Sequence, residues 1–430
     1  MSHANAIRAA LAHPPSARIV VGYSGGLDST VLLHALAQVE GIALRAIHVD
    51  HGLHPDSATW AAHCERTCEG WGIALESVRV EVTAAGKGIE AAAREARHAA
   101  FAQRLEEGET LALAHHRDDQ AETVLLRLLR GAGTHGLAAM RPLRAFALGW
   151  LWRPLLALPR ATLEAHARAH GLDWIEDPAN ARLQHGRNRL RHEVLPLLER
   201  HWPGARAALA RAARLAAEDA RRLDALDAQL LAGVQGADPR TLDVAALVRL
   251  DEPVQRALLR VWVTGCALPP PNAAAFDAFR GWLSQRADAA AVLRWPGAEL
   301  RRYRSTIYAM APLARPVHGW QLQWDGATAL RLPDGFGRLA LVPAAAMARS
   351  VTVRPRAGGE RIALPGREHT HALKHVLQEL GVPPWTRRRL PLLVAADGEL
   401  LAAADRVRSA RWVRLERESG MRLRWHDGHD

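Results

Sequence analysis

At 430 residues, 49% of them hydrophobic and 23% charged, the chain is long enough for two or three cored domains and is not of disordered or fibrous composition. No apolar run reaches the length that spans a bilayer, Met1-Ser2-His3-Ala4-Asn5 lacks a charged and then apolar leader, and three cysteines cannot build a disulfide framework, so a cytoplasmic protein without a membrane partner is expected. The net charge of +11 suggests a polyanionic partner but does not name it, because lysine occurs only at Lys87 and Lys374 and the arginine excess looks compositional.

Residues 1–17 read as a short helix and a loop leading to the buried strand Ile19-Val20-Val21. Ser24-Gly25-Gly26-Leu27-Asp28-Ser29 then forms a tight turn, and Thr30 to Ala37 a helix with Val31, Leu32, Leu33 and Leu36 turned inward. Strand, small-residue loop and helix N-terminus aim several backbone N–H groups at one point, which suits a phosphate. The glycines admit close approach, the serines add hydroxyls, and Asp28 can hold magnesium against the phosphates. No Lys-Ser or Lys-Thr pair follows, so this is not a Walker A loop, nor is it G-x-G-x-x-G.

A second strand, Ile42 to Val49, ends at Asp50-His51-Gly52-Leu53-His54. His48, Asp50, His51 and His54 straddle that strand end, which favours a nucleotide-contacting loop over a transition-metal site. Cys64 and Cys68 lie one helical turn apart and read as buried helix residues. A third strand near Leu75 to Val82, a helix from Ile89 to Arg97 and a fourth strand Leu111 to Ala114 follow, the last running into His115-His116-Arg117-Asp118-Asp119-Gln120-Ala121-Glu122-Thr123. This alternation predicts an α/β domain with a doubly wound, mainly parallel sheet and all these motifs in one cleft at the strands' carboxyl ends. Asp119 and Glu122, three apart, share a helix face and call for a cation, either magnesium or the ammonium of an amine substrate; simple acid enrichment at a helix start is the plainer alternative. His115 and His116 suit either general bases or a strand-end cap, and Arg187 to Arg191 suits phosphate or an RNA loop.

From about 200 to 290 the pattern is continuous helix, broken at Gly233, Gly236 and Pro239. From about 318 short strands are expected at Leu322 to Trp324, Ala329 to Leu332, Leu339 to Val342 and Val351 to Arg354, with one helix near His371 to Leu380. Lys374, Trp385 and Arg387 lie in a basic stretch with an aromatic inside it, which suits a single-stranded RNA end or loop. The expected domains are 1–200, α/β; 201–340, mainly helical with a linker; and 341–430, small α+β.

The loop Ser24 to Ser29 resembles the PP-loop of the ATP pyrophosphatase superfamily. Further motifs are His51-Gly52-Leu53, Glu90 to Arg97, His115 to Thr123, Arg153-Pro154-Leu155-Leu156, Asp177-Pro178-Ala179-Asn180, Arg187 to Arg191, Arg354 to Glu360 and Pro383-Pro384-Trp385. With all of them, the chain resembles the bacterial tRNA(Ile)-lysidine synthetases; Asp50 departs from the pattern where relatives often carry histidine. The resemblance implies a Rossmann-like PP-loop domain and a two-step ligation on the wobble cytidine of the isoleucine tRNA with a CAU anticodon. ATP adenylates the C2 oxygen, releasing pyrophosphate, and the ε-amine of L-lysine then displaces AMP. It implies ATP contacts at Ser24, Gly25, Gly26, Leu27, Asp28, Ser29 and His51. Lysine or Mg2+ would meet Asp28, Asp119 and Glu122, with Mg2+ on Asp28 and Asp119 and with His115 or His116 as base. tRNA would meet Arg94, Arg97, Arg187, Asn188, Arg191, Lys374, Trp385 and Arg387. Monomer and homodimer both stay open. A PP-loop tRNA thiolase, the rival within the superfamily, needs reactive cysteines, and no C-x₂-C is present.

Overall fold

Ile19 and Val21 point to one face of the first strand and Val20 to the other, and all three are buried, so helices must cover both faces of the sheet that contains them. The computed structural model describes residues 3–82, 88–176, 186–285 and 291–427, apart from 318, 334, 345 and the side chain of residue 90. Lys87 and the Asp177-Pro178-Ala179-Asn180 motif therefore lie outside the described residues. The chain forms two compact units, Met1–Leu223 and Asp224–Asp430.

In the first unit the order is α1 His3–Leu11, β1 Arg18–Gly22, α2 Leu27–Leu36, β2 Ala43–Asp50, α3 Ser57–Gly70, β3 Ala74–Arg79, α4 Ile89–Arg104, β4 Thr110–Ala112, α5 Arg117–Leu128 and α6 Thr134–Leu137. There follow β5 Leu143–Phe146, β6 Gly149–Trp152, α7 Arg160–Ala169, α8 Gly186–Arg189, α9 Leu195–His201 and α10 Ala205–Val234, whose first turns belong to this unit. The six strands are ordered β3-β2-β1-β4-β6-β5, every pair parallel except β5 with β6. The doubly wound expectation holds.

The chain leaves β1 toward β2 and β3 and returns on the other side as β4, so the crevice between the β1 and β4 ends is the ligand position of such a sheet. One face is packed by α1, α2, α3 and α7 and the other by Ala100, Phe101 and Leu105 at the end of α4. Val31, Leu32, Leu33 and Leu36 of α2 are fully buried, each contributing about 1.5–3 kcal/mol by area. Helix α2 begins at Leu27, three residues before the sequence reading placed it, which brings Asp28 and Ser29 into its first turn. Cys64 and Cys68 are buried on α3, and desolvation pushes their thiols up to about 12 and about 11, so both are inert.

The second unit departs from the sequence reading between 241 and 310. Helices Glu252–Gly265 and Ala273–Leu283 form as expected, but they share a core with a four-stranded antiparallel sheet made by Thr241–Asp243, Thr306–Met310, Ala298–Tyr303 and Val292–Trp295. These strands carry arginines at 294, 301 and 302, which masked their apolar alternation; Arg294 and Arg301 are neutralised by the fully buried Glu299. Further on, Leu322–Trp324 and Val351–Arg354 form where expected and join a five-stranded sheet around a core that includes Phe336 and Trp412. The helix near His371 is Leu373–Glu379.

Candidate active site

Gly26 caps α2 with no side chain among the described residues reaching the helix's first N–H groups, which leaves that end open to an anion. The loop before it is held by its own hydroxyls: Ser24 Oγ and Ser29 Oγ lie 3.0 Å apart, and Ser29 Oγ donates to Gly26 O at 3.0 Å. Gly25 has φ +77°, and a Cβ there would meet Ile175 Cδ1 at 2.7 Å and Cys64 Sγ at 2.9 Å. No other residue fits. Ile175 also donates its N–H to Gly25 O, pinning the loop from a distant segment that no sequence motif marks.

Asp28 and α5 meet across His116. The His116 ring is buried as the N-cap of α5, its Nδ1 accepting from Asp119 N at 3.4 Å while Asp119 Oδ2 accepts from His116 N at 3.1 Å. Its Nε2 faces Asp28 Oδ2 at 3.6 Å and Asp119 Oδ2 at 3.4 Å. Burial opposes a charge on His116, but the hydrogen bond to Asp28 and the charges of Asp119, Asp28 and Asp118 outweigh burial and the long cap bond, and its pKa is raised. The folded state therefore holds this proton to higher pH than the unfolded chain does. The resulting stability is full below about pH 6.5 and is lost as pH climbs through the raised folded value. Denaturant titrations without divalent cation should show the stability gap between the wild type and His116→Gln shrinking as pH rises from about 6 to about 9; a widening gap would reverse the sign.

Glu122 is completely buried. Arg187 Nε donates to it at 2.8 Å, Arg191 Nε at 2.6 Å and a terminal Arg191 nitrogen at 3.1 Å, the last also reaching Asp119 Oδ1 at 3.1 Å. Arg187 and Arg191, expected on the tRNA path, thus stand on the acidic pair; they are four apart across the start of a π-helical turn, Leu190–Val194, and so reach the same carboxylate. Asn188 is half-buried beside them. Although burial opposes its charge, Glu122, Asp119 and Asp28 raise the Arg191 pKa.

The opposite wall is cationic. His115 accepts from Arg153 Nε at 3.3 Å, and desolvation with the charges of Arg153, Arg94, Arg187 and Arg97 holds it well below the usual histidine range. Desolvation and neighbouring guanidiniums bring Arg97 and Arg153 down to about 10. Arg94 and Arg97 are thereby part of this site's electrostatics. Neither expected base has an open lone pair: the acceptor nitrogen of His115 faces Arg153 and that of His116 faces an N–H. His51 is half-buried, its Nδ1 has no hydrogen-bond partner among the described residues, and desolvation and Arg97 lower its pKa. His48 bonds Tyr23 O, Asp50 accepts from Gly52 N, and His54 stacks on Trp60, so these side chains serve three different purposes. Arg160, which no motif singled out, places Nε 3.7 Å from Asp28 Oδ1.

In the second unit Lys374 is exposed, while Trp385 lies edge-on to Tyr308 and Arg387 donates to Tyr303 OH at 2.6 Å and to Val382 O. The last two side chains are engaged inside their own unit.

Three family models match the chain: a PP-loop domain over residues 2–198, a TilS substrate binding domain over residues 242–308 and a TilS substrate C-terminal domain over residues 351–425. The tRNA(Ile)-lysidine synthase of Xanthomonas axonopodis pv. citri (strain 306) is 48% identical over 422 residues, covering 97% of this chain and 96% of that one. That of Salmonella newport (strain SL254) is 43% identical over 424 residues, covering 96% of this chain and 97% of that one. The chain belongs to the tRNA(Ile)-lysidine synthase family. Among solved structures, the U34-tRNA thiolase NcsA from Methanococcus maripaludis is similar at 19% identity and a TM-score of 0.43, over 50% of this chain and 78% of that chain. The loop at Ser24 to Ser29 lies within the residues that the PP-loop domain matches, at the switch point of the sheet. Among the described residues no helix is long and apolar enough to cross a membrane.

Proposed function

We propose that the chain joins L-lysine to C2 of the wobble cytidine of the isoleucine tRNA with a CAU anticodon, using ATP. In the first step the C2 oxygen attacks the α-phosphorus and pyrophosphate leaves. In the second the lysine ε-amine attacks C2, the C2–O bond breaks, and AMP departs with that oxygen. The observation that carries this reading is the convergence of the open α2 terminus and Asp28 with Asp119, across His116, at one sheet crevice.

Glu122 lies beneath Arg187 and Arg191 and positions them, so Asp28 and Asp119 are the acidic groups left to face a cation, magnesium while the triphosphate is bound and the lysine ammonium once pyrophosphate has left. Asp28 Oδ1 is buried without a hydrogen-bond partner among the described residues, and paired carboxylate oxygens suit a hard cation. Asp28 and Asp119 would hold Mg2+, which supplies charge neutralisation to the triphosphate. The loop hydroxyls of Ser24 and Ser29 and the α2 amides bind the phosphates, with His51 at the nucleotide edge. Arg94 and Arg97 present positive charge to the RNA backbone. Segments 201–340 and 341–430 recognise the body of the tRNA, with Lys374 as an exposed contact.

The test is incorporation of labelled lysine, with ATP, into tRNA transcripts that differ at the wobble base. Incorporation confined to the CAU transcript is expected; none into any transcript would sink the reading.

A further inference from the structure

The side of α5 away from the acidic pair faces a second recess. A cavity of about 560 Å³ opens between Arg117 and Gln120 of α5, the segment Met140 to Leu143, Leu156-Ala157 and the face of α10 from Ala207 to Arg221. Its volume lies in the range of small-molecule sites. Gln120 fixes one wall, its amide donating to Met140 O at 2.9 Å and accepting from Met140 N at 3.0 Å. The floor is apolar, built from Met140, Pro142, Leu143, Leu156 and the alanines of α10. The charged lining residues are all arginines (Arg117, Arg141, Arg211, Arg214 and Arg221), with no carboxylate among them. Arg214 pairs with Glu218 one turn along, and Arg117 Nε is buried without a hydrogen-bond partner among the described residues.

A recess with an apolar floor and an arginine rim selects a flat apolar body that carries negative charge. One nucleotide supplies both, its base on the floor and against guanidinium planes, its phosphate on the rim. An acidic peptide side chain brings the charge without the flat body. Arg117 and Gln120 share α5 with Asp119 and Glu122, so an occupant sits one helix thickness from the reaction site. Resting on the proposed tRNA substrate, we propose that this cavity holds one unstacked nucleotide of the RNA, close in the chain to the base being modified.

The full-length protein tests this with two variants. Ala210→Trp fills the cavity; Arg211→Ser combined with Arg221→Ser changes only exposed side chains and spares the core. Ala210→Trp should weaken binding of the CAU transcript, and raise its KM, about tenfold with kcat retained. The double arginine variant should lower the slope of log affinity against log salt by about one to two. Free AMP separates the two sources of a nucleotide. A second AMP equivalent that binds wild type, is lost in Ala210→Trp and leaves tRNA affinity unchanged would overturn the RNA assignment in favour of a mononucleotide site. Unchanged tRNA and AMP binding in both variants would overturn it altogether. Wild-type lysine incorporation, measured alongside, separates these outcomes from a failure of the lysidine reading itself.

Discussion

Asp28→Ala lowers tRNA-dependent pyrophosphate release from ATP by about a hundredfold or more and leaves tRNA affinity unchanged. The expectation follows from position. Asp28 is in the first turn of α2, its Oδ2 3.6 Å from His116 and its Oδ1 3.7 Å from Arg160, at the crevice where the triphosphate is proposed to lie. Removing it takes away the carboxylate nearest the open helix end but none of the buried apolar contacts of α2. Asp28→Asn keeps the side-chain shape and should fall nearly as far, because charge is what is lost. Pyrophosphate release assayed with the CAU transcript, next to filter binding of the same RNA, decides the matter. Loss of tRNA binding, with pyrophosphate release restored at saturating tRNA, would mean that the loop grips RNA instead.

Glu122→Ala costs stability more than any other single change at the site. The carboxylate is fully buried and answers two guanidiniums; without it Arg191 keeps its ion pair with Asp119, and Arg187 keeps a hydrogen bond to Thr123 Oγ1. Breaking a buried pair typically costs 3–5 kcal/mol, and the lower end, about 3 kcal/mol, applies because Arg187 and Arg191 are 25% and 32% exposed and so regain some water. Denaturant unfolding measures this directly. A loss below about 1 kcal/mol would place the pair among surface ion pairs of little worth. If Glu122 touched the lysine substrate instead, the variant would raise the KM for lysine without destabilising the fold.

These two residues also mark how far the sequence could be read. Asp28 was legible because a strand, two glycines and a helix start can be recognised from adjacent residues, and the local physics of an uncapped helix end does the rest. The parallel sheet was legible for a similar reason: Ile19 to Val21, Ile47 and Leu111 lie in short apolar runs separated by helical stretches. The strands at 292–310 were not, since Arg302, in register with the buried Ile307, interrupts the apolar row to which Leu300 belongs. Glu122 was legible as an acid three residues from Asp119, but its burial was not. Arg187 and Arg191 lie more than sixty positions away and read locally as a basic, RNA-facing helix. Only the folded chain turns them onto the carboxylates.

The sequence by itself therefore determined the phosphate loop, the sheet that carries it and the identity of the charged groups, because each depends on neighbours within a few residues. The tertiary structure decided which charge answers which. It set Glu122 under two arginines, His116 between Asp28 and Asp119, and His115 among Arg153, Arg94, Arg187 and Arg97. Coulomb energies and desolvation depend on distances between segments far apart in the chain, and no spacing along the sequence encodes those distances.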